Sequence, residues 1–345
     1  MRYAILTAAA AVTATFVPLP SPAVERWYSL GAYPVIQNVV TWLSSLVSVA
    51  LLDVGVLVAL GSWLAFVIGR WRTSGARAGL KLAAVSLVAT MSVVYLVFLA
   101  VWGLNYRRLP LEVKLAYDPA RVTPDATFQL GQIAVEQVNT LEPAKAPSSP
   151  YSREAMMPAF ADVQRHLGAK STARPAMPKR SAVSWYLRHA GIDGMIDPLF
   201  LEIILNPDVL TIERPFTLAH EWAHLAGYAD ESDANFVAWL TCIRSDSAAQ
   251  YSGWLEAYRY AEAALPRERR RELQRRLSPA VIADLRAISA RLGRVNPVVS
   301  GFARNVYDTY LKTQGVDEGL ASYSAMLKLM VGTTFENGWV PNLRH

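Results

Sequence analysis

The chain has 345 residues, is 52% hydrophobic and only 18% charged, and carries a formal charge of +6, whereas soluble domains are roughly 25% charged. Its single cysteine, Cys242, excludes an intrachain disulfide framework. Residues 1–104 hold six of the 34 Lys and Arg and two of the 28 Asp and Glu, so the remainder is nearly balanced in charge and gives no basis for nucleic-acid binding.

Three apolar stretches come first, near residues 3–20, 47–69 and 80–102. The first is short and Ala-rich. It is read as a retained helix rather than a signal peptide, because Pro18, Pro20 and Pro22 crowd the cleavage signal at Ser21-Pro22-Ala23. The second and third reach the ~20 residues a helix needs to cross the hydrocarbon core. Between them RWRTSGARAGLK, residues 70–81, carries Arg70, Arg72, Arg77 and Lys81 and no acid. The positive-inside rule puts that loop in the cytoplasm and sends residues 21–46, and everything after Asn105, to the other side. Asp53 is read as lying at the interface, near the start of its helix. The expected organisation is a transmembrane anchor over 1–104 and an extracytoplasmic domain over 105–345.

In the second part, Thr123-Pro124 opens a helix to about Leu141, and Ser152 opens another to about His166. Residues 168–183 are expected as loop. Ser184–Leu187 and Leu199–Leu205 are expected as strands on their aromatic and β-branched content, separated by the turn AGIDG. From Pro215 onward the period is helical. PRERRRELQRR, residues 266–276, is expected to be a solvated helix face, since Glu268 and Glu272 interleave with its arginines. The fold class is therefore mainly α with a small sheet.

HEWAHLAGYADESDANF, residues 220–236, carries the chemistry. On a helix, His224 lies about 40° from His220 and Glu221 about 100° from it. Both imidazoles can reach one Zn2+ ion, and Glu221 flanks it as a base that activates a zinc-bound water. Leu218, Trp222 and Leu225 fall on the opposite side and give the helix an apolar back. Two readings compete for the third ligand. HExxHxxGxxD has metzincin spacing with Asp230 in the ligand position, but SYSAMLKLM does not resemble the Met-turn that group needs. The alternative takes Glu231, four residues before Asn235 on a second helix, with Asn235 orienting a histidine and Asp230 as the N-cap. Glu231 is favoured. Gly227 permits the short chain reversal this requires. Cys242 is expected to be buried rather than a ligand, and His166 and His345 are assigned no role.

WYSLGAYPVIQ, WGLNYRRLPL, the HEWAH-to-DANF block, YSGWLEAY and YLKTQGVDEGLASYSAMLKLM together resemble a bacterial family of multi-pass inner-membrane proteins with a gluzincin-like HExxH domain, whose activity is inferred from that motif. The resemblance implies a zincin-like α+β metallopeptidase domain, Glu231 as zinc ligand and Asn235 behind it.

The expected function is that of a membrane-anchored zinc metalloprotease hydrolysing peptide bonds of a peptide or protein substrate outside the cytoplasm. The strand Phe200–Leu205 could pair with an extended substrate. Tyr323 is the favoured donor to the developing oxyanion, ahead of Arg214, Tyr228 and His189. Two alternatives have other chemistry: a catalytically silent zinc-binding scaffold of a cell-envelope complex, and a zinc amidohydrolase acting on cell-wall peptides. Substrate identity and oligomeric state are not encoded in any motif.

Overall fold

A computed structural model describes residues 2–141, 152–313 and 325–344. The chain opens with α1 (Arg2–Phe16), α2 (Ser21–Ser44), α3 (Leu51–Ser74) and α4 (Ala76–Val101). Leu51–Thr73 and Arg77–Val101 are long and apolar enough to cross a membrane, and α1 and α2 pass that test only as a pair bent by 106°. By itself α1 is about 22 Å long, short of the ~30 Å hydrocarbon core. It packs along α4, where Thr15 Oγ1 donates to the Tyr95 hydroxyl. The guanidinium of Arg107 donates to the carbonyls of Ala14, Thr15 and Val17 and so satisfies the open end of α1.

The first long span begins at Leu51, not Val47, because Val49 bridges Arg180 and Ala50 N–H donates to the Arg180 carbonyl. Asp53 thus sits in the first turn of α3. Its two carboxylate oxygens accept from Ser181 Oγ and the Ala182 N–H, each at 2.8 Å. Asp53 is an interfacial clamp on the following domain.

Residues 21–44 carried no predicted element, yet they form a helix. Its buried residues include Glu25, Ser29, Tyr33, Gln37 and Thr41, one every four positions. In a regular α-helix such a row drifts about 40° per step; here Val24–Ala32 is wound as a wider π-helix, which offsets that drift. The outward face is apolar, with Val35, Val39, Trp42 and Leu43 exposed. This is the inverse of a helix on a soluble protein: polar groups face the fold, and apolar groups face outward.

The domain continues through α5 (Pro124–Leu141), α6 (Arg153–His166), α7 (Val183–Ala190), β1 (Gly194–Asp197), β2 (Glu202–Leu205), α8 (Arg214–Leu225), α9 (Glu231–Ile243), α10 (Ser247–Ala264), α11 (Arg267–Arg275), α12 (Pro279–Leu292), α13 (Pro297–Thr313), α14 (Ala325–Gly332), β3 (Phe335–Glu336) and β4 (Val340–Pro341). Among the described residues it is mainly helical, with two antiparallel hairpins, β1–β2 and β3–β4. At the centre, α9 packs against α6, α8, α10 and α14. All of its residues from Glu231 to Cys242 are buried, and Trp222, Trp239, Phe236 and Phe160 are among the largest enclosed side chains. On α11, Leu273 is buried while Arg276 pairs with Glu272 at 2.7 Å on the exposed side, the solvated helix face expected.

Two expectations need correction. Ser184–Leu187 lies in helix α7, not a strand: its Val183, Leu187 and Ala190 share one face, and Gly191, at φ 72°, ends it in the left-handed conformation. Only Glu202–Leu205 of the second predicted strand is extended, and its hairpin partner is Gly194–Asp197. Tyr33, Phe98, Leu99 and Trp102 belong to the same continuous core as the HEWAH helix.

Candidate metal centre

Helix α8 is held at both ends. At its start, Glu213 Oε1 accepts from Arg291 at 2.6 Å, and the same guanidinium holds Asp193 at 2.6 and 3.2 Å. Arg291 therefore ties the residue before α8 to the residue before β1. At the C-terminal end the final carbonyls lack intrahelical donors, and residues from the membrane-proximal part supply them. Trp102 Nε1 donates to the His224 carbonyl at 2.9 Å, the Tyr33 hydroxyl to Leu225 at 2.7 Å, and Arg108 to Gly227 at 2.8 Å. Arg108 also lies 4.4 Å over the Tyr228 ring and pairs with Glu25, which binds Lys114 as well.

Gly227 then reverses the chain with φ 80°, and a side chain there would stand 2.7 Å from Asn105 Oδ1. Asp230 caps α9 by accepting from the N–H groups of Ser232 and Asp233. The next residue, Glu231, turns back toward α8. Its Oε2 lies 3.3 Å from His220 Nε2 and its Oε1 3.7 Å from His224 Nε2, while the two Nε2 atoms are 3.0 Å apart. Donors at ~2.0–2.1 Å from a tetrahedral ion are about 3.3 Å from one another. The donor chemistry and spacing of His220, His224 and Glu231 thus fit a single such ion, and Asp230 is occupied as the cap.

In the neutral ring, His224 Nδ1–H donates to the Tyr228 carbonyl at 2.7 Å, which leaves the Nε2 lone pair for the centre. Burial would lower the His224 pKa, but the Glu231 carboxylate outweighs it and raises it to about 9. Burial likewise opposes ionisation of Glu231, and the two imidazoles reverse this and hold its carboxyl well below the usual range. These groups ask for a shared cation, for which protons and metal ions compete. His220 Nδ1 and Asn235 Nδ2 are buried without a hydrogen-bond partner, so the described structure contains no Asn235-to-histidine bond.

Glu221 is buried beside the cluster, its Oε2 without a partner. Burial raises its carboxyl pKa, with His220 and His224 opposing. It faces the start of β1: a Cβ on Gly194 would be 2.5 Å from Glu221 Oε1. Among the described residues nothing bridges the other edge of β1, whereas the outer edge of β2 is engaged by Pro178 at Ile203. Within the predicted Phe200–Leu205 segment, Glu202–Leu205 pairs with β1 on one side and meets Pro178 on the other.

The other expected donors lie elsewhere or are engaged. Tyr323 lies outside the described residues. Arg214 binds the carbonyls of Pro207 and Val209, His189 bonds within α7 to Trp185, and Tyr228 lies beneath Arg108. Cys242 is fully buried. Sequence reading missed Glu25, Tyr33, Trp102, Arg108, Gly194 and Arg291. Their signal was faint, because each acts on the backbone or through packing and none forms a motif.

No curated protein and no solved structure matches the chain. Residues 28–331 match the model of the family described as "Protein of unknown function (DUF3810)", which covers most of the chain, and the protein belongs to that family.

Proposed function

We propose that this protein is a membrane-anchored zinc metallopeptidase whose zinc is held by His220, His224 and Glu231. The observation that carries the reading is the convergence of two imidazole Nε2 atoms and a buried carboxylate within 4.8 Å, beside the buried, partly unpartnered Glu221. A bound zinc ion supplies Lewis-acid polarisation of a substrate carbonyl and makes water more acidic. Glu221 takes the proton from the attacking water and delivers it to the leaving amine; a carboxyl whose pKa is raised by burial suits both steps. The open edge of β1 pairs with the substrate backbone and lays the scissile bond beside Glu221.

The side of the membrane follows from charge. Arg70, Arg72, Arg77 and Lys81 cluster at the α3–α4 connection. At the opposite end of α4, Arg108 is paired with Glu25 and Arg107 keeps its charge, so the two weaken that asymmetry without reversing it. This asymmetry supports a reading in which the domain lies on the extracytoplasmic side of the membrane.

The test uses the full chain in detergent, with metal content and peptide hydrolysis measured for wild type, Glu221→Gln and Glu231→Gln. One zinc per chain is expected in wild type and Glu221→Gln and is lost in Glu231→Gln. Hydrolysis is expected to fall about 10²–10⁴-fold in Glu221→Gln. A wild type without zinc, or a Glu221→Gln variant as active as wild type, would sink the proposal; bound zinc with no hydrolysis would leave a scaffold.

A further inference from the structure

Three separate contacts tie the candidate centre to the ends of the spanning helices. Trp102, the residue after the Arg77–Val101 span, donates to the His224 carbonyl, and the two rings are 6.5 Å apart. At the start of the other span, Leu51 N–H donates to Glu202 Oε2 at 2.8 Å, and Glu202 pairs with Asp197 at the end of β1. Beyond the hairpin turn, the Phe200 ring closes on Gly55, where a Cβ would be 3.2 Å away. One end of β1 therefore touches Glu221 at Gly194, and the other abuts the first turns of α3. A four-residue strand covers about 13 Å. Helix α2 packs against the same domain, with its polar row inward and Val35, Val39, Trp42 and Leu43 outward, as suits a helix in the plane of a bilayer surface.

We infer that the substrate is the juxtamembrane segment of a membrane-anchored polypeptide, laid as a strand along β1 between the bilayer surface and Glu221. This rests on the peptidase reading above and adds where a substrate is cut. A chain leaving the bilayer beside α3 meets the open edge of β1 at once and passes Glu221 within a few residues. A soluble peptide gains the same strand pairing without the confinement that keeps an anchored one at the site, so anchoring raises its effective concentration.

The experiment reconstitutes the zinc-loaded full chain in phosphatidylcholine–phosphatidylglycerol vesicles with a single-span peptide bearing an extravesicular tail of randomised sequence. Cut positions are mapped by mass spectrometry, and the same tail library is offered as free peptide. Cuts are expected within about six residues of the span, and the anchored tail should be cut at least about tenfold faster than the free one. In a Glu221→Gln background, photo-cross-linkers in the tail should reach residues 194–197 only from positions close to the span. Cuts spread evenly along the tail, or equal rates for anchored and free tails, overturn the inference while leaving the peptidase intact. No cleavage of either tail overturns both, and cross-links from distal positions alone also reject it.

Discussion

At the residue scale, the site depends on groups that have no side chain to advertise them. Gly194 is the clearest case: a methyl group there would stand 2.5 Å from Glu221 Oε1 and 2.9 Å from Leu205 Cδ2. Both contacts are below 3.0 Å, so the carboxylate, which is the nearer, must shift along with the Leu205 methyl. Gly194→Ala is therefore expected to leave zinc content unchanged and lower kcat/KM about 10²-fold, the scale of a 1 Å misplacement of a catalytic group. Parallel metal analysis and kinetics check this, and an unaltered kcat/KM would refute it. The cluster of His220, His224 and Glu231 was more legible. Spacing of four on a helix brings His220 and His224 together, and N-cap preference separates Asp230 from Glu231 without knowledge of the fold. Gly194 was not legible, because AGIDG offers only turn chemistry until the chain on the other side of the gap is known.

At the element scale, helices with soluble-type signals were found and those with inverted signals were missed. Asp230, Ser152 and Thr123-Pro124 mark real helix starts. Helix α2 escaped because its buried row is Glu25, Ser29, Tyr33, Gln37 and Thr41, which periodicity rules assign to water. Helix α7 escaped because Trp185 and Tyr186 weigh toward strand, while the turn before it is held by Asp53, far away in sequence. The β1–β2 hairpin carries a titratable group of its own. Asp197 is nearly fully enclosed, and burial pushes its carboxyl up to about 6 against the Leu199 and Phe200 N–H bonds that favour ionisation. Because the folded pKa exceeds the unfolded value, the folded state holds this proton more tightly between about pH 4 and pH 6. Its stabilising effect is present at the acid end and is lost as pH rises through about 6. Asp197→Asn removes the titration. Between pH 4 and pH 7, variant stability should gain on wild type by up to about 3 kcal/mol. Thermal unfolding across that range measures it, and parallel profiles for the two proteins would exclude it.

At the scale of the whole molecule, the N-terminal helices and the domain share one core, and Tyr33 and Trp102 supply donors to the C-terminal end of α8. Charge counting separates two parts at residue 104 by composition, while Tyr33, Phe98, Leu99 and Trp102 share a hydrophobic core with the HEWAH helix. A bilayer-facing helix and a domain core can share side chains while differing in charge density. Glu25, Arg108 and Lys114 are the test of that unity. Arg108 is buried with Glu25 as its ionic partner, a second cation beside it, and the Gly227 carbonyl and Tyr228 ring within reach. Removing one member of a buried pair typically costs about 3–5 kcal/mol, whereas replacing both by apolar groups of similar size is far milder. Glu25→Gln in the full chain is thus expected to lower the unfolding temperature sharply and to weaken zinc retention, since Arg108 would no longer hold the turn between His224 and Glu231. Glu25→Leu combined with Arg108→Met should recover much of the stability but not the zinc retention, because the donor to the Gly227 carbonyl stays absent. Unfolding midpoints and chelator competition on the three proteins separate the two effects. If Glu25→Gln melts and holds zinc like wild type, the anchor does not support the site.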